Sequence, residues 1–146
     1  GTYNDKDMIN VNDWIKDSEN TPCILKIDAE GSEYEILHAI NNFYLKKIKI
    51  LILEFHNLHL ISNKYFYSYV FNCLKKIDKY FVVSHLHPNN NFPLINFYNL
   101  KIPRDLEVTF LNRKYIKYSK KTQLPHLLDQ PAIKNKKNII LPNYYF

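Results

Sequence analysis

Two short apolar runs, separated by about twenty residues of helical character, constrain the fold of this chain more than any other feature. The runs are "CILKI" at Cys23–Ile27 and "IKILILEF" at Ile48–Phe55, and both are rich in β-forming residues. The second run is nearly all apolar and has no polar face, which is typical of a strand covered on both faces in a parallel sheet. The chain is therefore expected to build an α/β sheet.

The segment between the two runs has the pattern of a crossover helix. Ser32 and Glu35 have the spacing of a capping box and predict a helix from about Ser32 to Lys46. Its apolar residues recur at intervals of three and four and give one face that packs on the sheet: Ile36, Leu37, Ile40, Phe43 and Tyr44. Strand, helix and strand form a βαβ unit, whose crossover is expected to be right-handed.

The rest of the chain repeats this alternation and then changes it. A second amphipathic helix is predicted to start near Ser62, and "YFVVSHLH" at 80–87 is predicted to form a third strand. The prolines and asparagines of 88–103 predict a loop. The alternating run "LEVTFLNR" at 106–113 predicts a last strand that forms an antiparallel pair with the third.

Both ends of the chain are expected to contribute to the same domain. Asn12 is predicted to cap a short helix that carries Trp14 and Ile15 toward the core. Pro22 is predicted to end that segment. At the other end, the apolar and aromatic residues of 138–146 are expected to pack against the domain.

The composition indicates one domain in an aqueous compartment. The chain has 146 residues, and its longest apolar run is too short to cross a bilayer. Because no charged and apolar leader begins it, we expect a cytoplasmic protein. The net charge of +6 is spread along the chain, which favours a solvated surface over nucleic-acid binding. Cys23 and Cys73 lack the spacing of a disulfide framework or a zinc site and are expected to be buried thiols.

Acidic residues follow the first predicted strand. Asp28, Glu30 and Gly31 occupy its carboxyl end, which is where open α/β sheets bind ligands. Asp28 is placed to face a ligand, and Gly31 permits a tight turn that a Cβ would obstruct. The alternative is that these acids only stabilise the helix terminus. Acids packed around one turn repel one another, so a cation is expected nearby.

Four separated motifs resemble one enzyme family. "LKIDAEGSEYEIL" at 25–37, followed by "LILEFH" at 51–56, resembles the second half of the FkbM-like S-adenosylmethionine-dependent methyltransferases. Members of that family typically read I-D-x-E-G-x-E-x-x-x-L and then an apolar strand that ends in E-x-H. "HLHPNNNF" and "IPRDLEVTFLNR" resemble carboxyl-terminal elements of some members, so the resemblance covers about Val11 to Arg113.

The resemblance implies a Rossmann-like methyltransferase fold in which Asp28 ends the fourth strand, while Glu54 and His56 end the fifth. It implies an enzyme that uses S-adenosylmethionine as cofactor and O-methylates a hydroxyl of a sugar, glycan or other natural product. For the cofactor, the expected contacts are Asp28, Glu30 and Gly31.

Further site residues follow from the alternation of strand side chains. Glu54 and His56 share one face of their strand by period two. His85 and His87 do the same, and these strand ends are expected to converge near Asp28. The predicted catalytic residues are Asp28 and, as alternative bases, His56, His85 and His87. The predicted substrate-binding residues, which offer hydrogen bonds to hydroxyl groups, are Glu54, Asn89, Asn90 and Glu107.

One departure from the family is large. The family's cofactor pocket begins with a Gly-rich turn and continues with an acid that holds the ribose, but Gly1 and Gly31 are the only glycines of this chain. We therefore expect a fragment or truncated relative without the first three strands, comprising a half-domain at 1–113 and a basic, aromatic-ended extension at 114–146. Alone, it is expected to bind S-adenosylmethionine weakly and to be prone to self-association through the uncovered edge of its first strand.

Two other functions stay open. A non-catalytic binding or assembly module derived from this fold is favoured by the missing Gly-rich turn. A metal-dependent hydrolase is the third hypothesis, because six side chains suit a divalent ion by ligand type: Asp28, Glu54, His56, His59, His85 and His87. None of their spacings is diagnostic of a metal, so we assign no metal ligand from the sequence.

Overall fold

The computed structural model describes residues 9–16, 23–120 and 123–145, which form an α/β fold. The helices of this part of the chain are α1 Val11–Lys16, α2 Glu33–Ala39, α3 Asn42–Leu45 and α4 Lys64–Asp78. The strands are β1 Cys23–Ile27, β2 Ile48–Phe55, β3 Phe81–Pro88, β4 Ile95–Phe97, β5 Leu100–Ile102 and β6 Leu106–Asn112. Within these ranges, no helix combines the length and the apolar character that a bilayer crossing requires.

The main sheet is mixed and has the strand order β1-β2-β6-β3. β1 and β2 are parallel, with Leu25 opposite Leu51, which confirms the predicted parallel pair. β6 runs antiparallel to both β2 and β3, so the predicted antiparallel pair of the last two strands is also confirmed. The expectation of a parallel sheet around β2 is wrong, because β6 lies between β2 and β3.

One edge of the main sheet is β1. Among the described residues no strand pairs with its outer side, and Ile24 on this strand is 62% exposed. Unpaired strand edges can pair with other chains. Self-association through this edge stays a prediction.

The core lies between one face of the sheet and the helices α2 and α4. Leu51, Leu53 and Phe55 alternate along β2 and are almost fully buried. The helices contribute the buried side chains Tyr34, Leu37, Val70, Cys73 and Ile77. Burial of one such apolar side chain contributes about 1.5–3 kcal/mol, so this face carries most of the stability of the domain. Cys73 is a buried thiol as predicted, whereas the side chain of Cys23 lies outside the described part of the structure.

The predicted helix from Ser32 to Lys46 is interrupted. α2 ends at Ala39, Ile40 has an extended ψ of 123°, and α3 begins after Asn41, whose side chain caps it. Lys76 of α4 stabilises this break, because its ammonium group donates to carbonyl oxygens at the end of α2, at 2.7 Å from Leu37 O and 2.5 Å from Ile40 O. Burial lowers the pKa of Lys76.

The break changes which side chains of this segment reach the core. Leu37 and Ile40 are buried as predicted, and Ile36 and Tyr44 are partly buried against the core. Phe43 is 58% exposed, so its predicted place on the packed face is wrong, because α3 does not continue the axis of α2.

The predicted capping box is also wrong. Ser32 occupies the position before α2 but its side chain makes no capping hydrogen bond. The carboxylate of Glu33, the first residue of α2, accepts hydrogen bonds from two backbone groups outside the helix, Gly31 N at 2.9 Å and His56 N at 2.7 Å. Tyr34 then donates its hydroxyl to His56 O at 2.6 Å. Two consecutive residues of α2 therefore hold both backbone groups of the residue that follows β2.

The amino-terminal helix differs from its prediction in two side chains. The cap is Asn10, whose side chain accepts from Asn12 N, while the side chain of Asn12 reaches Ala39 O at 3.0 Å. Ile15 is buried as predicted, but Trp14 is 56% exposed. Asn12 cannot cap α1 because it lies inside the helix, and its side chain also accepts a hydrogen bond from Asn41 N at 2.7 Å. The predicted break at Pro22 lies outside the described residues.

The second amphipathic helix, predicted to start near Ser62, is confirmed, because α4 begins at Lys64 with Asn63 as its cap. A 3-10 turn at Leu58–Ser62 precedes it. The region 88–103, predicted as a loop, contains the hairpin of β4 and β5. The predicted packing of the carboxyl-terminal residues is confirmed for Leu141, which is buried in the core, and Tyr145 donates to Lys101 O at 3.2 Å.

Replacing Glu33 by glutamine tests the connection between α2 and the two strand ends. Glu33→Gln keeps the size of the side chain but leaves one oxygen for two backbone donors. We expect the free energy of unfolding to fall by about 1–3 kcal/mol, the cost of an unsatisfied buried donor. Urea unfolding followed by circular dichroism measures this change.

Glu35→Gln is the matched control, because Glu35 lies on the same helix with its side chain exposed. Its free energy of unfolding should change by less than about 0.5 kcal/mol. Equal losses in the two variants would contradict the anchoring role of Glu33.

Candidate functional site

A polar group lies at the carboxyl ends of the parallel strands β1 and β2. Asp28 follows β1, Glu54 lies near the end of β2, and His56 follows β2 directly. One potential ligand atom from each of these three side chains lies within 4.8 Å of the other two. The sequence predicted that these strand ends converge near Asp28, and the structure places Asp28, Glu54 and His56 together. We call this set the rim group.

His56 lies among the carboxylates of the acidic turn. Its Nε2 lies 3.6 Å from Glu30 Oε2 and 3.8 Å from Glu54 Oε1, and its buried Nδ1 lies 3.5 Å from Glu33 Oε2. Burial alone lowers the pKa of His56, but the negative charges of the surrounding carboxylates, Glu33 foremost, outweigh it and raise that pKa above its ordinary value.

The turn after β1 is tight, as predicted for Gly31. Glu30 has a φ of 49° and Gly31 a φ of 106°, a value that side chains disfavour. A Cβ on Gly31 would lie 3.2 Å from Asn57 Nδ2, so the turns that follow β1 and β2 are in close contact. Asn57 N donates to Asp105 Oδ1 at 3.0 Å, which connects these turns to the start of β6.

A cavity of about 330 Å³ adjoins the rim group on the partly exposed face of the sheet. Glu54, Glu107 and His87 are cross-strand neighbours there, because β2, β6 and β3 place them in one row. The residues that line the cavity are Glu54, His85, His87, Asn89, Glu107, Leu128, Asp129, Gln130 and Ala132. Glu54 therefore belongs both to the rim group and to this cavity.

Hydrogen bonds fix the acidic side chains of the cavity. Asn89 donates to Glu54 Oε1 at 3.0 Å. Lys26 donates to Glu107 Oε2 at 3.1 Å, and this hydrogen bond together with the charge of Glu107 raises the pKa of Lys26. These donors use one oxygen of each carboxylate, Glu54 Oε1 and Glu107 Oε2.

A second polar group lies at the far wall of the cavity and includes a residue that the sequence did not indicate. His85 Nε2 lies 2.8 Å from Asp129 Oδ1, and His87 Nδ1 lies 3.6 Å from Asp129 Oδ2. Asp129 comes from the carboxyl-terminal segment, more than forty positions from either histidine. No spacing in the sequence connects residues so far apart, so no local signal pointed to Asp129. We call these three residues the wall group.

Two predicted site residues lie apart from both groups. Asn90 is buried, and its side chain accepts from Ile133 N at 2.8 Å and donates to Ile133 O at 3.0 Å and to Lys136 O at 3.1 Å, so it binds the carboxyl-terminal segment. His59 belongs to neither group. In the described part of the chain, the six side chains of ligand type thus form no single cluster, which corrects that hypothesis.

Comparison of the sequence with family models matches residues 1–76 to the methyltransferase FkbM domain. No curated protein and no solved structure matches the chain significantly. The match covers 76 of 146 residues, just over half of the chain, and it includes the turn at Asp28 and the strand that leads to His56. The chain therefore belongs to the methyltransferase FkbM domain family.

Proposed function

We propose that this domain is the acceptor side of an S-adenosylmethionine-dependent methyltransferase that methylates a hydroxyl of a sugar, glycan or other natural product. The observation that carries the proposal is the rim group, which brings Asp28, Glu54 and His56 within 4.8 Å at the ends of adjacent parallel strands. These strands lie inside the segment that matches the family.

The proposed fold is a Rossmann-like sheet with β1 and β2 in the places of its fourth and fifth strands. Open α/β sheets bind ligands beyond the carboxyl ends of their parallel strands. The rim group stands at that position, after β1 and at the end of β2. We assign 1–113 to this half-domain and 114–146 to an extension.

The rim group fits one part of the cofactor. S-adenosylmethionine, when bound, supplies an electrophilic methyl group on a positively charged sulfur. The exposed carboxylate of Asp28 and that of Glu30, whose side chain is 89% exposed, offer negative charge to such a group. The described residues offer no Gly-rich turn for the rest of the cofactor, so we expect this chain alone to bind it weakly.

The acceptor hydroxyl needs a base, because a neutral hydroxyl is a poor nucleophile. Of the three predicted histidines, His56 is the one that we assign, because it shares the rim group with Asp28. His85 and His87 contact Asp129 instead. The raised pKa of His56 makes its neutral form a stronger base than an ordinary histidine.

The cavity next to the rim group is the proposed acceptor pocket. Glu54, Asn89 and Glu107 line it with hydrogen-bonding groups that suit the hydroxyls of a carbohydrate. Its volume of about 330 Å³ is at the lower end of small-molecule sites, which fits one sugar unit better than a long chain. Asn90 stays a prediction as a substrate contact, since its side chain already binds the carboxyl-terminal segment.

The carboxylate of Asp28 is expected to favour the charged cofactor over its uncharged product. Wild-type protein should bind S-adenosylmethionine more tightly than S-adenosylhomocysteine, and Asp28→Asn should reduce this ratio about twofold to fivefold, the range for a partly solvated charge pair. Ligand-detected NMR titrations at high ligand concentration measure both affinities.

Asp78→Asn serves as the control, because Asp78 is exposed at the end of α4 and pairs with Arg113. That variant should keep the wild-type ratio. An unchanged ratio in Asp28→Asn would count against a sulfonium at this rim, and micromolar binding by the chain alone would contradict the expected weak affinity.

The environment of His56 predicts a pH dependence with a definite sign. Because its folded-state pKa lies above about 6.5, the value of an unfolded histidine, protonation of His56 stabilises the fold. This contribution is fully present below about pH 6.5 and is lost as the pH rises through the folded-state pKa. NMR titration of the imidazole resonances measures that pKa directly.

The variant Glu54→Gln should lower the pKa of His56, because it removes one of the neighbouring negative charges. Glu35→Gln, on the exposed side of α2, should leave it unchanged. A His56 that titrates at or below pH 6.5 in the wild-type protein would contradict this electrostatic description.

A further inference from the structure

The wall group has the donor set of a metal site. His85 and His87 project from the same face of β3, with their rings stacked at an interplanar angle of 13° and a centroid distance of 6.4 Å. The carboxylate of Asp129 lies across from them, and one ligand atom from each residue lies within 4.8 Å of the other two. Two imidazoles and one carboxylate form a common set of three protein ligands for zinc.

A hydrogen bond fixes the orientation of the His87 ring relative to Asp129. His87 Nε2 lies 3.0 Å from Gln130 O, and because a carbonyl oxygen only accepts, this ring nitrogen carries the hydrogen. In neutral His87 the lone pair is then on Nδ1, which faces Asp129 Oδ2 at 3.6 Å. Asp129 Oδ2 also accepts a hydrogen bond from His126 N at 2.8 Å, and a carboxylate oxygen has a further lone pair that can bind a cation. The side chains of His87 and Asp129 are 18% and 10% exposed.

The wall group is close to the spacing of a tetrahedral zinc site. Zinc lies about 2.0–2.2 Å from nitrogen and oxygen ligands, which places neighbouring ligand atoms about 3.3–3.5 Å apart. The distance of 3.6 Å at His87 is near that spacing, whereas the 2.8 Å at His85 is a hydrogen bond that zinc would replace and lengthen by about 0.5 Å. The bond from His87 to Gln130 O is the outer contact that orients a metal-binding imidazole.

The rim group lacks these properties. His56 is surrounded by carboxylates that favour its protonated form, and its ring faces Glu30, Glu33 and Glu54 rather than a second imidazole. The wall group lies on a different strand and includes the carboxyl-terminal segment. The zinc proposal rests on the geometry of the wall group itself, which also lines the cavity proposed as the acceptor pocket.

We propose that His85 Nε2, His87 Nδ1 and the carboxylate of Asp129 bind one Zn²⁺ ion, with the fourth position open to the cavity. The ion would tie the carboxyl-terminal segment to β3. The same segment contributes Leu128, Gln130 and Ala132 to the cavity wall, so zinc binding would also fix the shape of the cavity.

The test uses the full chain without a histidine tag, stripped with a chelator and titrated with zinc. Calorimetry should give one zinc per chain, and Co²⁺ in its place should give the intense visible absorption of a tetrahedral site. His87→Gln and Asp129→Asn should each weaken binding at least about 100-fold, because loss of a ligand exceeds the effect of losing an outer contact.

Three further variants distinguish zinc binding at the wall group from zinc binding elsewhere on the chain. His38→Gln and Asp78→Asn change an exposed histidine and an exposed aspartate outside the wall group and should bind zinc as the wild type does. Asp28→Asn should also keep zinc, since it alters only the rim group.

The proposal is overturned if the folded wild-type chain binds no zinc, or if Co²⁺ gives only the weak spectrum of a hydrated ion. Equal zinc affinity in wild type and Asp129→Asn would also overturn it, as would a loss confined to Asp28→Asn. Far-UV circular dichroism identifies a variant that fails to fold, and the wild-type Co²⁺ spectrum then decides the question alone.

Discussion

Glu33 and Tyr34, two consecutive residues in the first turn of α2, hold the backbone of His56 from both sides. The Glu33 carboxylate accepts from His56 N and from Gly31 N, and the Tyr34 hydroxyl donates to His56 O. Glu33 is completely buried, so its charge depends on these donors and on the nearby imidazole. Through this one arrangement, the turn after β1 and the end of β2 take fixed positions relative to each other, and the rim group forms between them.

The same arrangement sets the electrostatics of the site. Carboxylates of Glu30, Glu33 and Glu54 surround His56 and raise its pKa against the effect of burial. His56, which follows the neighbouring strand, lies among these carboxylates, and the exposed carboxylate of Asp28 lies beside it. In the proposed enzyme, the rim thus combines negative charge for a cationic cofactor with a base for the acceptor.

The sequence predicted what depends on local periodicity and on family motifs. It indicated the strands β1, β2, β3 and β6, the parallel and antiparallel pairs, and the meeting of Asp28 with His56. Predictions from the sequence were wrong or incomplete where a side chain binds a residue that is distant in the sequence. The spacing of Ser32 and Glu35 suggested a reciprocal cap, but Glu33 instead contacts a residue 23 positions away. Lys76 of α4 binds a carbonyl oxygen at the end of α2, and Asp129 of the carboxyl-terminal segment contacts a histidine of β3. Such contacts form only in the folded state, so no sequence pattern predicts them.

The central claim is that the rim between β1 and β2 receives the sulfonium end of S-adenosylmethionine. Amide chemical shifts recorded while the ¹⁵N-labelled chain is titrated with this cofactor test it most directly. We expect the largest shifts at Ala29, Gly31, His56 and Asn57. Shifts concentrated on the hairpin of β4 and β5 or at the end of α4, with the rim amides unmoved, would contradict it.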